Sequence, residues 1–221
     1  MLKTTRVVGV SAVIFLAYVA WTIGGWSHGS ARIAVSDITS FVLVSTAATL
    51  SALAARSARG RLRAAWTAMS VGLLGWAVGD AIWGYHELVL HESPFPSLAD
   101  AAYLILPVGA CVAMLLFPTT YSGRSRSRML LDSVIVAAAL FVVFWLIVLR
   151  PVYEAGAESQ FGLVVSLAYL VSDLVVLTIA AYVAVGAGSY QRLPLTLLAA
   201  AMTSIALADS AYAYLDRKSV V

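Results

Sequence analysis

Seven long apolar runs constrain this chain more than any other feature of its sequence. Each is about 20 residues long, and an apolar helix of that length crosses the roughly 30 Å hydrocarbon core of a bilayer. Of the 221 residues, 62% are hydrophobic and 11% are charged, whereas a soluble domain has about 25% charged residues. We therefore predict an all-α, polytopic membrane protein with seven transmembrane helices, at residues 7–26, 38–55, 64–85, 99–117, 130–149, 161–186 and 193–214.

Several functions are excluded by what the sequence lacks. The segments between the apolar runs are short loops, so no soluble catalytic domain fits between them. No lysine lies within a predicted span, which excludes a retinal Schiff base, and the sole cysteine, Cys111, cannot form an intrachain disulfide. There is no phosphate-binding glycine-rich loop, no Gly-x-Ser-x-Gly elbow and no paired cysteine motif. We predict no catalytic residues and no cofactor for this chain.

The basic residues indicate the topology. Positive charges concentrate before the first run and in every second loop, and the loops between them carry most of the acids. Positively charged loops stay in the cytoplasm, so we predict a multi-pass protein of the cytoplasmic (inner) membrane with a cytoplasmic N-terminus. The first run is too long for a signal-peptide core and is read as a retained helix. The basic residues on the predicted cytoplasmic side are Lys3, Arg6, Arg56, Arg59, Arg61, Arg63, Arg124, Arg126, Arg128 and Arg192, and the other loops hold only Arg32 and Arg150.

Two of the predicted spans carry the same polar signature. In each, an arginine lies 17 residues before an aspartate, and an aromatic residue follows three residues later. A Val-Ser-Asp triplet also occurs twice, ending at Asp37 and at Asp173. These matches predict two parallel four-helix repeats, at about 7–118 and 130–215, with an eighth helix in the intact protein. The two signatures are Arg63, Asp80, Trp83 and Arg192, Asp209, Tyr212.

The last residues of the chain correspond to the translation of a recognisable DNA sequence. The last six residues, 216–221, are what the nucleotides GATCGGAAGAGCGTCGTG encode, and this string resembles a common sequencing-library adapter. We therefore expect that residues 216–221 are a non-native tail and that the natural protein is longer. The alternative is a short native tail of ordinary charged residues.

Two aspartates are candidates for lining an outward-facing pocket. Asp80 and Asp209 lie about 16 residues into their predicted helices, roughly 24 Å along the axis, and an acid at such a position often marks function. Trp83 and Tyr212 lie on the same helix faces, three residues on. The alternative is an interfacial aspartate beside an aromatic belt, where Trp and Tyr are common.

Asp173 lies near the middle of the sixth predicted span. An ionised carboxylate is costly there, so we expect it to be protonated or hydrogen-bonded. A proton relay or ligand contact is one interpretation, and a hydrogen bond that holds two helices together is the other. The expected partners are hydroxyl groups, namely Ser172, Thr178, Thr203 or Ser204.

Asp100 and Tyr103 open the fourth predicted span. Pro96 and the sequence Ser97-Leu98-Ala99-Asp100 are typical of a helix start with a capping box. Capping is therefore the main interpretation of Asp100, and ligand binding together with Tyr103 is the alternative. Asp132, at the start of the fifth predicted span, is interpreted in the same way.

The segment after the third span suggests a metal site on the outer surface. His86, Glu87 and His91 could bind zinc or copper, although histidines five residues apart do not match the four-residue spacing of zinc proteases. A solvated loop is therefore the main interpretation, and the metal site is the alternative.

Four motifs in order along the chain resemble a known family. They are similar to the multi-helix N-terminal region of bacterial cyclic-di-GMP signalling proteins, which carry GGDEF and often EAL domains after the membrane part. The chain departs from the pattern at Leu106-Pro107, where an aromatic residue is expected before the proline, and it has no GGDEF or EAL signature. The motifs are Phe95-Pro96-Ser97-Leu98-Ala99-Asp100-Ala101-Ala102-Tyr103-Leu104, Leu131-Asp132, Tyr169-Leu170-Val171-Ser172-Asp173-Leu174 and Ala208-Asp209-Ser210-Ala211-Tyr212.

The resemblance implies a membrane-embedded sensory and anchoring module whose output domain, a diguanylate cyclase or phosphodiesterase, is absent from this sequence. Its expected partners are the lipid bilayer, a small-molecule ligand from the outer side, a cytoplasmic output domain and a second copy in a homodimer, with no nucleic acid. The alternatives are a small-solute or proton-coupled transporter and a purely structural membrane anchor.

Overall fold

The structure is a computed structural model that describes residues 2–25, 30–92, 94–117, 160–186 and 192–219, with single positions and short runs between 135 and 150. The regular elements among these residues are all helical. They are α1 (Leu2–Gly24), α2 (Ser30–Ser57), α3 (Gly60–Tyr85), a π-helical turn (His86–Leu90), α4 (Leu98–Tyr103), α5 (Ile105–Leu116), α6 (Gln160–Gly186) and α7 (Arg192–Ser219).

Four of the helical segments are long enough and apolar enough to cross a bilayer. They are Ser30–Ser57, Gly60–Leu90, Leu98–Leu116 and Gln160–Ala180, and two shorter apolar helices cover Ala12–Gly24 and Thr196–Asp209. The prediction of helical structure is confirmed for the described residues, and four of the helical segments could span a membrane by length and composition. The run at 130–149 lies largely outside the described residues, so the count of seven stays a prediction.

The chain divides into two compact units, Met1–Gly109 and Ala110–Val221. Their boundary lies within α5, whereas the predicted repeats meet between residues 118 and 130. The two-repeat organisation therefore stays a prediction.

In the first unit, α2 packs along α3 through small side chains. Ala48, Ser51 and Ala55 of α2 are buried, as is Ser70 of α3, and Ser70 Oγ donates to the carbonyl oxygen of Ala48 at 3.0 Å. Small residues let helix backbones approach closely, which is how helices associate in a lipid environment without a hydrophobic driving force.

The same helix α3 presents a row of glycines to the segment that follows it. Gly72, Gly75 and Gly79 recur every three or four residues, so they share one face of the helix. A Cβ atom at Gly72 would lie 3.2 Å from Leu106 Cα, and one at Gly75 would lie 2.7 Å from Ile105 Cβ. The chain from α4 into α5 therefore crosses α3 at close range. Large side chains on another face of α3 are half exposed, as suits contact with lipid: Val71, Leu74 and Val78.

The fourth predicted span is two helices rather than one. The break lies at Leu104, whose ψ angle of −8° departs from helical geometry. Pro107 explains the break, because a proline ring clashes with the carbonyl group four residues earlier, here that of Tyr103. In the new helix Pro107 occupies the first turn, where no intrahelical N–H bond is required.

In the second unit, α6 packs against α7. Leu170, Asp173 and Val176 are buried on α6, and Met202 and Ala206 are buried on α7. Their spacing of three or four residues is that of one helix face.

Candidate functional site

Asp80 lies where three helices of the first unit meet. Its Oδ2 accepts a hydrogen bond from Ser40 Oγ of α2 at 2.7 Å, and its Oδ1 accepts one from the hydroxyl of Tyr103 of α4 at 3.0 Å. The side chain of Trp76, one turn earlier on α3, is also within hydrogen-bonding reach. Two hydroxyl donors from different helices therefore converge on one carboxylate, which is how a buried acid is held without a paired cation.

Tyr103 reaches Asp80 because of two local features. The first is Gly79, whose missing side chain leaves room for the tyrosine ring: a Cβ atom there would lie 2.6 Å from Tyr103 Cδ1. The second is Trp76, whose ring meets that of Tyr103 edge to face with the centroids 5.2 Å apart. Edge-to-face contact is a favoured geometry for aromatic pairs. The tyrosine is thus held by packing as well as by its hydrogen bond.

The helix that carries Tyr103 begins at the predicted capping box. The backbone N–H of Ser97 donates to Asp100 Oδ2 at 2.6 Å, and the backbone N–H of Ala99 donates to Ser97 Oγ at 3.2 Å. The capping interpretation of Asp100 is confirmed, and its carboxyl group is buried in that role. Asp100 sets where α4 starts, and hence where Tyr103 lies.

A second acidic group adjoins Asp80. Asp37, one turn before Ser40 on α2, lies near Asp80, and its side chain is within hydrogen-bonding reach of Glu87 in the π-helical turn. Asp37 Oδ2 is buried and receives no hydrogen bond from a donor group. Glu87 Oε2 accepts a hydrogen bond from Trp83 Nε1 at 2.7 Å. Trp83, predicted to line a pocket with Asp80, is thus bonded to Glu87.

The second unit contains one acidic pair among its described residues. The carboxyl groups of Asp173 and Asp209 are within hydrogen-bonding reach of each other. Asp173 is 7% exposed, and its Oδ2 is buried without a donor partner. The side chain of Tyr212, the other predicted contact in this unit, lies outside the described residues.

The predicted partners of Asp173 were wrong. All four hydroxyls donate to backbone carbonyl oxygens of their own helices, at 2.7–3.0 Å, because a serine or threonine in a helix can bond to the carbonyl one turn before it. The group within hydrogen-bonding reach of Asp173 is instead the carboxyl group of Asp209. The hydroxyl groups are those of Ser172, Thr178, Thr203 and Ser204.

The metal site that was the alternative interpretation of His86, Glu87 and His91 is not formed. Within the described part of the chain, no three His, Cys, Asp or Glu side chains are gathered to hold a metal ion. Glu87 is bonded to Trp83, and His91 ends the π-helical turn in a left-handed conformation with φ 60°. The comparison with the four-residue spacing of zinc proteases also assumed an α-helix. In the π-helical turn the backbone N–H of His91 donates to the carbonyl oxygen of His86.

The structure therefore brings Asp80 together with Tyr103, and Asp173 together with Asp209. Each pair belongs to its own unit, so the outward-facing pocket predicted for Asp80 and Asp209 stays a prediction. Ser40 and Trp76 were missed. The signal for Ser40 was its position one helical turn after Asp37, on the same face of α2.

Comparison with known proteins finds no counterpart: no protein-family model, no curated protein and no solved structure matches this chain.

Proposed function

We propose that this chain is the membrane-embedded sensory and anchoring module of a bacterial signalling protein, the input region of a cyclic-di-GMP synthase or phosphodiesterase. In this proposal the chain lies in the inner membrane with its N-terminus in the cytoplasm. The sequence resemblance supports it, because the resembling motifs include Tyr103, which donates to Asp80, and Asp100, which caps the helix that carries Tyr103. Apolar helices of sufficient length support the membrane location.

The single observation that carries the proposal is the sharing of Asp80 among three helices. Ser40 of α2 and Tyr103 of α4 each donate to a different oxygen of this carboxylate. A ligand that offers a donor or a cationic group to Asp80 would compete with both. It would therefore loosen contacts that hold α2 and α4 to α3, and a ligand that binds one arrangement better shifts the population towards it.

The close packing of α4 on α3 next to Asp80 would couple ligand binding to a movement of these helices. Gly75 and Gly79 allow α4 to lie directly against α3, and packed helices of this kind switch between arrangements rather than deform continuously. A change at Tyr103 would thereby move α4 and the start of α5, which continues towards the output side.

The test is a reporter measurement with matched hydroxyl deletions. The chain is expressed with the coding region that follows it in its source DNA, in cells that carry a fluorescent reporter of cyclic di-GMP. Tyr103→Phe and Ser40→Ala each remove one donor to Asp80, so both should shift the reporter signal in the same direction.

The controls remove hydroxyl groups that do not contact Asp80. Tyr85→Phe alters an exposed tyrosine, and Ser57→Ala alters a serine whose hydroxyl bonds to its own helix. Both should leave the reporter unchanged. A following coding region without a GGDEF or EAL domain would contradict the proposal, as would equal signals from all four variants and the unmodified protein.

A second candidate function, proton-coupled transport of a small solute, is favoured by the Asp173–Asp209 pair. Buried acids that exchange protons are typical of transporters. Proteoliposomes that contain the protein should take up the solute under a pH gradient, and Asp173→Asn should abolish this uptake. A purely structural anchor would instead tolerate amide replacement of every acid.

A further inference from the structure

The acidic pair of the second unit differs from an ordinary buried acid in its surroundings. Asp173 is 7% exposed, its Oδ2 has no donor partner, and its neighbour across the α6–α7 contact is Asp209. Two ionised carboxylates cannot hydrogen-bond to each other, because both are acceptors only. A carboxyl–carboxyl hydrogen bond requires one proton between them.

Asp80, which corresponds to Asp209 in the first unit, has neighbouring polar groups whose counterparts beside this pair are apolar. Ser40 follows Asp37 by three residues, and the residue that follows Asp173 by three is Val176. Trp76 precedes Asp80 by four residues, and the residue that precedes Asp209 by four is Ile205. Ser40 and Trp76 thus have apolar counterparts, whereas Tyr103, the other donor to Asp80, lies on α4. The second unit keeps the acids without the serine and the tryptophan.

Other ionisable residues also lie on these two helices. On α6 the described one is Tyr169, one turn before Asp173. On α7, Arg192 begins the helix 17 residues before Asp209, about 25 Å along its axis at 1.5 Å per residue. The remaining ionisable residues have side chains outside the described part: Tyr182, Tyr212, Tyr214, Asp216, Arg217 and Lys218.

We propose that Asp173 and Asp209 form a binding site for one exchangeable proton. One carboxyl group keeps its proton and donates it to the carboxylate of the other, so the pair carries one negative charge. Removal of the proton leaves two carboxylates facing each other in an apolar contact, where they repel. Occupancy of the site is thereby coupled to the packing of α6 on α7. This inference does not depend on the function proposed above.

The test is infrared spectroscopy of the whole chain in phosphatidylcholine nanodiscs, titrated with acid and base in H₂O and in D₂O. A protonated carboxyl group has a carbonyl stretch that is separate from those of carboxylates and shifts in D₂O. The unmodified protein should show this band at neutral pH and lose it on alkaline titration. Absence of the band at neutral pH overturns the proposal, and this measurement needs no substitution.

Amide replacements assign the band to the pair. Asp37 and Glu87 are a second pair of carboxyl groups within hydrogen-bonding reach, so the replacements are made in an Asp37→Asn background, which should keep the band. In that background Asp173→Asn removes one acid, and in Asp209→Asn the new amide can donate to Asp173, so both should lack the band at neutral pH. A band that persists in Asp37→Asn with Asp173→Asn, or one that disappears in Asp37→Asn alone, overturns the assignment.

A gain-of-donor variant tests the physical reason without removing an acid. Val176→Ser restores the donor that Ser40 provides in the first unit, so the band should fall at neutral pH. Val175→Ser makes the same chemical change at a position that is 46% exposed, and it should leave the band unchanged. Equal spectra from the two variants would count against the proposal.

Measurements in sodium and choline salts distinguish a proton-binding site from a site for a metal cation. The band is measured at one pH in sodium chloride and in choline chloride, and a proton site should give the same intensity in both. A band that falls in sodium assigns the pair to a metal cation and overturns the proposal.

Discussion

The ring of Tyr103 lies against the bare backbone of Gly79, so close that a Cβ atom on the glycine would stand 2.6 Å from Tyr103 Cδ1 and Cε1. The residue after that glycine is Asp80, which accepts the hydrogen bond of the same tyrosine. One position on α3 thus makes room for the ring, and the next binds its hydroxyl group.

We expect Gly79→Ala to destabilise the chain by about 1–3 kcal/mol, the usual range for an overpacked contact. The methyl group would push the ring away from Asp80 and Trp76. The measurement is the free energy of unfolding of the purified chain in detergent micelles, followed by circular dichroism. Gly84→Ala is the matched control, because a Cβ atom there meets nothing within 4 Å. Equal effects at both glycines would refute the packing argument.

Gly75→Ala should cost more than Gly79→Ala. Its new methyl group would lie 2.9 Å from the carbonyl oxygen of Ala102 and 2.7 Å from Ile105 Cβ, and backbone atoms cannot rotate away as a ring can. The helices must therefore separate. The same unfolding measurement should rank the losses Gly75→Ala, then Gly79→Ala, then Gly84→Ala; a smaller loss at Gly75 than at Gly79 would contradict this order.

Ser97→Ala should loosen the first turn of α4. The serine hydroxyl accepts the backbone N–H of Ala99, and loss of such a cap typically costs about 1 kcal/mol. Hydrogen exchange, read by mass spectrometry on peptides that cover residues 97–103, should become faster. Ser97→Thr, which keeps a capping hydroxyl, should restore slow exchange, and failure of that rescue would argue against a capping role.

Ser70→Ala should weaken the contact between α2 and α3. The buried hydroxyl of Ser70 is bonded to the carbonyl oxygen of Ala48 on the other helix, and interhelical bonds in membrane proteins average about 0.6 kcal/mol. The unfolding free energy should fall by about that amount. Thr67→Val deletes a hydroxyl that bonds only within α3, and a loss of the same size there would remove the basis of this prediction.

The sequence was sufficient to predict interactions between residues that lie close together along the chain. The capping box of Ser97 and Asp100 joins residues three apart, so the pattern alone predicted both the start of α4 and the role of the acid. The helical segments were predicted from the apolar runs, because in a bilayer each backbone polar group must be bonded within its own helix. The break at Leu104 was missed, although Pro107 carried the signal for it.

The partners of the buried acids were beyond what spacing could predict. Ser40 and Asp80 are 40 residues apart, and Tyr103 and Asp80 are 23 apart, so their meeting depends on the crossing of three helices. The same limitation explains the error at Asp173. Each hydroxyl near it could bond to a carbonyl of its own helix, and only the packing of α6 on α7 brings Asp209 to the acid instead.

The amino-acid sequence by itself determined that this chain is helical, that its helices can cross a bilayer and which of them carry acids, because hydrophobic length and capping act within a segment. The tertiary structure alone decided which groups face those acids. Asp80 lies among donors and Asp173 against another carboxyl group, since side-chain partners are set by how neighbouring helices pack and not by position along the chain.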